Sequence, residues 1–266
     1  MQQHCPTNLR SEVLKLTDIY TLFLTRNQAP IAAPLYSLKI ILPTFFRPLL
    51  FAIAATTFFS LAQAINFDAE KLLKTITLRF GAQSTQKFHD WQKLVADTRA
   101  ISNNDQKLQR VNEFFNRRTQ FMEDMEAWKQ SDYWATPMET LGHGKGDCED
   151  FAIAKYFTLL AANMDVAQLR LIYVKAKLGG PASDITQAHM VLAYYSSPDA
   201  EPQILDNLIA DIRPASRRPD LTPVFSFNSQ GIWAGVSASG SSKSTGTSSL
   251  SRWQDLLNRA RTEGFE

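Results

Sequence analysis

The hydrophobic pattern changes period once along this chain, and that change limits the possible folds more than any other feature. Up to about residue 163, apolar side chains recur every three or four positions, as on amphipathic helices. Phe88, Trp91, Leu94 and Val95 fall on one helical face, and Leu108, Val111, Phe115 and Met122 on another. Beyond residue 169 the repeat is two, over Leu169 to Lys175, Ala188 to Tyr195 and Gln203 to Leu208. Helices grouped ahead of hairpin-like strands predict an α+β fold with an antiparallel sheet.

The punctuation sets the expected boundaries. Asn66 can cap a helix running to Arg79-Phe80, with Gly81 as its stop, and Ser84 can open a second. A third is expected from about Asn104 to Trp128. Tyr133-Trp134-Ala135-Thr136-Pro137 reads as a loop, followed by the glycine-rich stretch Gly142 to Gly146. That stretch is not a P-loop, because no strand precedes it and Gly146 stands where Ser or Thr would follow the lysine. A largely apolar helix is expected over Asp147 to Asn163. Residues 237–249 are rich in Ser, Gly and Thr and predict a flexible linker. Trp253, Leu256, Leu257 and Ala260 suit a short C-terminal helix.

Residues 1–64 read differently from the rest. Arg47 precedes an uncharged apolar run that ends in Ala62-Gln63-Ala64, the layout of a secretory signal peptide with cleavage after Ala64. An uncleaved membrane anchor is the alternative, since roughly 20 apolar residues can span a bilayer. The expected organisation is a leader over 1–64, a folded domain over 65–236, and a linker with a short helix over 237–266. Export would remove Cys5 and leave Cys148 as the cysteine of the mature chain. It would also leave 23 basic and 24 acidic side chains, a balance that argues against a nucleic-acid partner. Two cysteines are too few for a disulfide scaffold or a cysteine-rich zinc site.

Cys148 is the residue with the clearest chemical promise. It falls at the start of the expected helix after Gly146-Asp147, where free N–H groups and the helix dipole favour a thiolate. A thiolate also needs an imidazole to pair with it and to protonate the leaving amine. The candidates are His89, His143 and His189. His89 lies among charges and reads as solvated, and His143 sits in the glycine-rich stretch. His189 enters an apolar strand, on the face shared by Val191 and Ala193. Asp206 ends the next strand and can stand beside His189 if the two pair antiparallel, orienting the ring. Asp147, Glu149 and Asp150 pose a difficulty, because negative charge opposes thiolate formation. A calcium ion held by these three carboxylates would cancel that field. Alternatively they are acidic first-turn residues that stabilise the helix.

Four ordered motifs carry a resemblance: Tyr133-Trp134-Ala135-Thr136-Pro137, Gly146-Asp147-Cys148-Glu149-Asp150, Ala188-His189-Met190-Val191-Leu192 and Leu205-Asp206-Asn207-Leu208. Together they resemble the LapG-type bacterial transglutaminase-like cysteine proteases, over roughly residues 65 to 236. The resemblance implies a papain-like α+β fold, with an N-terminal helical lobe, an antiparallel sheet and the nucleophile at a helix N-terminus. It implies a triad of Cys148, His189 and Asp206, and calcium held by the acidic residues beside the cysteine. It also implies a periplasmic endopeptidase that clips a di-alanine site near the N-terminus of a giant surface adhesin, releasing it and dispersing biofilm. The implied partner is the periplasmic domain of an inner-membrane receptor that senses cyclic di-GMP. Two other readings fit the same residues: a transglutaminase or amidase using the triad on another acyl donor, and a non-enzymatic peptide-binding module.

Overall fold

In the computed structural model, the described residues are 66–179, 184–235 and 251–266. The apolar run before Ala64, the Ser-rich stretch 237–249 and the Gly180-Pro181 punctuation lie outside them. No helix among the described residues is long and apolar enough to cross a membrane.

The first half is helical, as expected. Helix α1 is Ala69–Phe80, α2 is Ser84–Ala100 and α3 is Asn104–Arg118. Asp68 caps α1, accepting from the Lys71 N–H at 3.0 Å, so the cap is not Asn66. The reason is tertiary. Phe67 forms a β-bridge with Phe265, and the Asp68 N–H bonds the Gly264 carbonyl at 2.8 Å, which keeps the chain extended up to the cap. On α2 the buried face contains the four residues that periodicity picked, Phe88, Trp91, Leu94 and Val95.

Helix α3 stops ten residues before the expected Trp128. Thr119 turns extended, and Gln120–Phe121 (β1) pairs in parallel with Lys145–Gly146 (β2). Met122 therefore leaves the helical stripe, and its N–H bonds the Gly146 carbonyl at 2.9 Å. A one-turn helix, Asp124–Ala127 (α4), follows. Helix α5, Pro137–His143, occupies residues read from sequence as loop and glycine-rich stretch. Thr136 and Glu139 form a capping box with Pro137 at the first helical position, and Gly144 closes the helix at φ +72°. The Thr-Pro-x-Glu pattern announces this start in the sequence itself.

Helix α6, Cys148–Ala161, is buried along its whole length. A short 3₁₀ turn, Val166–Gln168, leads into a six-stranded antiparallel sheet ordered β6-β5-β4-β3-β7-β8. The strands are Leu169–Lys177 (β3), Thr186–Tyr194 (β4), Gln203–Leu205 (β5), Arg213–Pro214 (β6), Leu221–Phe227 (β7) and Ile232–Ala234 (β8). Strands β6 to β8 were not expected. Strands β6 and β8 are short edge strands, and β7, although it lies between β3 and β8, buries only Phe225, Ser226 and Phe227, so the period of two is hard to read. Val191 and Ala193 pack with Ile172, Val174, Tyr195 and Ile204 in one apolar cluster, as strand alternation required.

The C-terminal helix α7, Ser251–Glu263, buries Trp253, Leu256 and Ala260. Trp253 sits among Tyr156 and Phe157 of α6 and Phe227 of β7, with ring centroids 5.3–6.2 Å apart. The helix is therefore part of the same core as α6 and the sheet.

Candidate active site

Cys148 opens α6 and is 1% exposed. The geometry of the helix and strands sets its level in the sheet. Fourteen helical residues span about 21 Å at 1.5 Å each, and roughly six strand residues cover that distance on the way back. Counting from Leu169, the return ends near Val174 and Lys175, and Val174 is the cross-strand partner of His189. Helix α6 packs on both β3 and β4, so the helix N-terminus and His189 belong to the same end of the sheet.

His189 and Asp206 are in direct contact. Nε2 of the ring lies 2.8 Å from Asp206 Oδ1, and both side chains are at most 1% exposed. Leu205 pairs with Leu192, so Asp206 comes one position on, diagonal to His189 on the neighbouring strand. Asp206 Oδ1 also accepts the Leu208 N–H at 3.1 Å, and Oδ2 accepts from Arg218 Nη2 at 2.7 Å. Burial by itself would raise this carboxyl's pKa. The imidazole and its hydrogen bond, the Arg218 charge and the Leu208 N–H outweigh burial and hold it well below the usual carboxylate range. His189 Nδ1 is buried and makes no hydrogen bond. The structure thus assembles the His–Asp half of the expected triad, with no hydrogen bond between the ring and Cys148. Such bonds commonly tighten only with substrate in place. Cys148 Sγ lies 2.8 Å from Glu149 Oε2.

The other two histidines sit elsewhere. His89 is exposed on α2. His143 ends α5 with its ring 4.9 Å from that of Trp128. Burial lowers its pKa, helped by the nearby charges of Lys145 and Lys87. Trp134 is a core residue, stacked on Phe227 at 5.7 Å.

Asp147, Glu149 and Asp150 are all buried and belong to a larger group. One ligand atom from each of Asp124, Asp147 and Asp150 lies within 4.8 Å of the others, and the same holds for Asp147, Cys148 and Glu149. Asp124, on α4, was missed from sequence because it was read as the interior of a longer helix. Asp132 is a buried neighbour that pairs with Arg252 of α7 at 3.0 Å. Asp150 is anchored by the Ala135 N–H at 2.7 Å and Trp128 Nε1 at 3.3 Å, and Asp124 by the Tyr133 N–H at 2.5 Å. No N–H or O–H among the described residues donates to either Asp147 carboxylate oxygen or to Asp124 Oδ1. Burial first, and then mutual repulsion, pushes all four pKa values upward. Packing this many carboxylates in the interior without a cation is costly. Oxygens bound to one calcium at 2.3–2.6 Å stand no more than about 5 Å apart, so the spacing suits such an ion.

Gly146 makes this packing possible. A β-carbon there would lie 2.5 Å from Asp150 Oδ2 and 2.6 Å from Asp150 Cβ. Gly146→Ala is therefore expected to displace Asp150 and cost about 1–3 kcal/mol. A denaturant titration checks this, and wild-type stability in the variant would mean that Asp150 moves freely.

Lys155, two turns along α6, escaped sequence analysis. It is 1% exposed, with Nζ 5.7 Å from the centre of the Phe151 ring. Burial pushes its pKa down to about 7, against the opposing charge of Asp206. Between about pH 7 and the ordinary lysine value near 10.4, the unfolded chain binds a proton that the folded chain does not. Stability contributed at this site therefore rises with pH across that window. Lys155→Met is expected to stabilise the protein by on the order of 1–3 kcal/mol at pH 7. The gain should shrink towards pH 10, and melting curves at both pH values test it. A gain that grows with pH would contradict the burial argument.

Comparison with known proteins identifies the family. The family profile described as "bacterial transglutaminase-like cysteine proteinase BTLCP" matches residues 77–233. The chain belongs to this family of LapG-type cysteine proteases, and its mixed helical and antiparallel-sheet fold is the transglutaminase-like one. A solved structure of Legionella pneumophila LapG is 38% identical, with a TM-score of 0.60 over 74% of this chain and 99% of that one. An EGTA-treated form of the same Legionella protein is 37% identical, with a TM-score of 0.61 over 74% of this chain and 100% of that one. A calcium-bound form is 36% identical, with a TM-score of 0.60 over 72% and 98%. No curated protein matches the chain.

Proposed function

We propose that this cysteine protease is a calcium-dependent periplasmic endopeptidase with Cys148 as nucleophile, His189 as its acid–base partner and Asp206 as the group that orients the ring. The observation that carries the reading is the buried His189–Asp206 pair, whose remaining ring nitrogen, Nδ1, is left for the sulfur. Nδ1 takes the thiol proton, the sulfur attacks the scissile carbonyl, and the imidazolium returns the proton to the leaving amine. Water then repeats the sequence on the acyl-enzyme. Cys148 N–H, at the helix N-terminus, is the natural donor to the oxyanion.

Asp124, Asp147, Glu149 and Asp150 would hold the calcium ion. When bound, it supplies positive charge that offsets the carboxylates around the nucleophile and ties α4 to the start of α6. The calcium-bound and EGTA-treated forms of Legionella LapG support this reading.

The substrate in this reading is the N-terminal region of a large surface adhesin, cut at a di-alanine site so that the adhesin is released and biofilm disperses. Sequestration by the periplasmic domain of a cyclic di-GMP receptor would restrain the enzyme, and cleavage after Ala64 would deliver it to the periplasm. The test is incubation of protein beginning at Ile65 with adhesin N-terminal fragments, with calcium and with EGTA, read by mass spectrometry. Cleavage at the paired alanines only in calcium is the expected result. Incorporation of an added amine without cleavage would assign the site to acyl transfer instead.

A further inference from the structure

We propose that Arg218, together with Asp220, is a positioning pair that fixes the Asp206 carboxylate for His189, an inference that rests on the reading of Cys148, His189 and Asp206 as catalytic residues. Arg218 follows the 3₁₀ turn Ala215–Arg217, and its side chain is 1% exposed. Nη2 donates to Asp206 Oδ2 at 2.7 Å and to Asp220 Oδ2 at 2.7 Å, while Nε donates to Asp220 Oδ1 at 3.0 Å and Oδ2 at 3.2 Å. Asp206 is thereby divided: Oδ2 belongs to the guanidinium, and Oδ1 serves the imidazole and the Leu208 N–H. The carboxylate cannot rotate without losing one of these bonds. The backbone holds Arg218 in turn, because its N–H bonds the Ala215 carbonyl at 2.9 Å and its carbonyl accepts the Leu221 N–H at 3.0 Å. Asp220 is tied to β3 through the Lys177 N–H at 2.8 Å.

The arrangement also balances charge. A buried guanidinium beside Asp206 would by itself cancel the negative charge that favours an imidazolium. Asp220, 16% exposed, supplies a second carboxylate to the same guanidinium and leaves Asp206 its effect on the ring. The charged groups facing Asp206 and His189 are Arg218 and Asp220 from the turn before β7 and Lys155 from α6.

The variants are Arg218→Gln, Arg218→Lys and Asp220→Asn, assayed in calcium on a cleavable adhesin fragment, with kcat and KM measured across pH and melting curves alongside. Partners that orient a functional group typically contribute 10–100-fold, so Arg218→Gln is expected to lower kcat by about that much with little change in KM. Arg218→Lys should recover part of the loss, having the charge but not the fork. Asp220→Asn leaves the guanidinium uncompensated and should move the alkaline limb of kcat/KM to lower pH, whereas Arg218→Gln should move it to higher pH. A merely structural pair would not move the two limbs in opposite directions. Limbs unchanged from wild type overturn the proposal, and Asp220→Asn decides this by itself if Arg218→Gln does not fold. Wild-type rates in Asp206→Asn would instead remove the catalytic reading on which the proposal stands.

Discussion

Cys148→Ser and His189→Ala are each expected to lower kcat/KM by at least about 10³-fold, because members of a triad act as a unit. For the same reason the double variant should be little worse than either single one. Cys148→Ser should melt close to wild type, since it changes one buried atom. Asp206 calls for asparagine rather than alanine. Alanine would deprive the buried Arg218 of one of its two carboxylates and confuse lost catalysis with lost stability. Asp206→Asn keeps the shape and should retain more activity than the other two. Near-wild-type cleavage by His189→Ala, with unchanged melting, would sink the assignment and turn attention to His143.

Removing calcium should have the second-largest effect, on activity and stability together. With the ion gone, the carboxylates beside Cys148 oppose thiolate formation and repel one another. A ligand that binds only the folded state stabilises it by mass action, about 2.7 kcal/mol at 100 times its dissociation constant. Excess EGTA should therefore abolish cleavage and lower the melting temperature in one titration. Asp147→Ala should reproduce both effects and respond no further to calcium. Asp124→Ala should do the same, a result that the sequence offered no reason to expect. Magnesium should rescue poorly, because it demands a near-ideal octahedron and gives up water reluctantly. Full activity in excess chelator, with an unmoved melting curve, would return Glu149 and Asp150 to the role of first-turn helix stabilisers.

Much of the fold was legible because burial on a helix or a long strand leaves a period in the sequence. The apolar face of α2, the run of α6 and the long strands β3 and β4 all follow from that period. It failed where tertiary pairing overrode it. The stripe that carried α3 on to Trp128 was interrupted because β1 found a partner in β2, 25 residues ahead in the sequence. Helix α5 went unread although its capping box was visible, because the glycines around it suggested a loop.

For the site, the residue types and their order were readable along the chain. The sequence placed a cysteine at a helix start after Gly-Asp, a histidine entering an apolar strand and an aspartate ending the next strand. These are local facts, and local facts survive into sequence patterns. Which polar groups share an interior emerged with the packing of the elements. Asp124 joins Asp147 and Asp150 across 23 residues or more of chain. Arg218, rather than its neighbour Arg217, turns inward to Asp206. Lys155 is buried in an apolar helix. Burying a charge is tolerable only when specific partners converge on it. Such partners come from separate elements, at separations that no periodicity records.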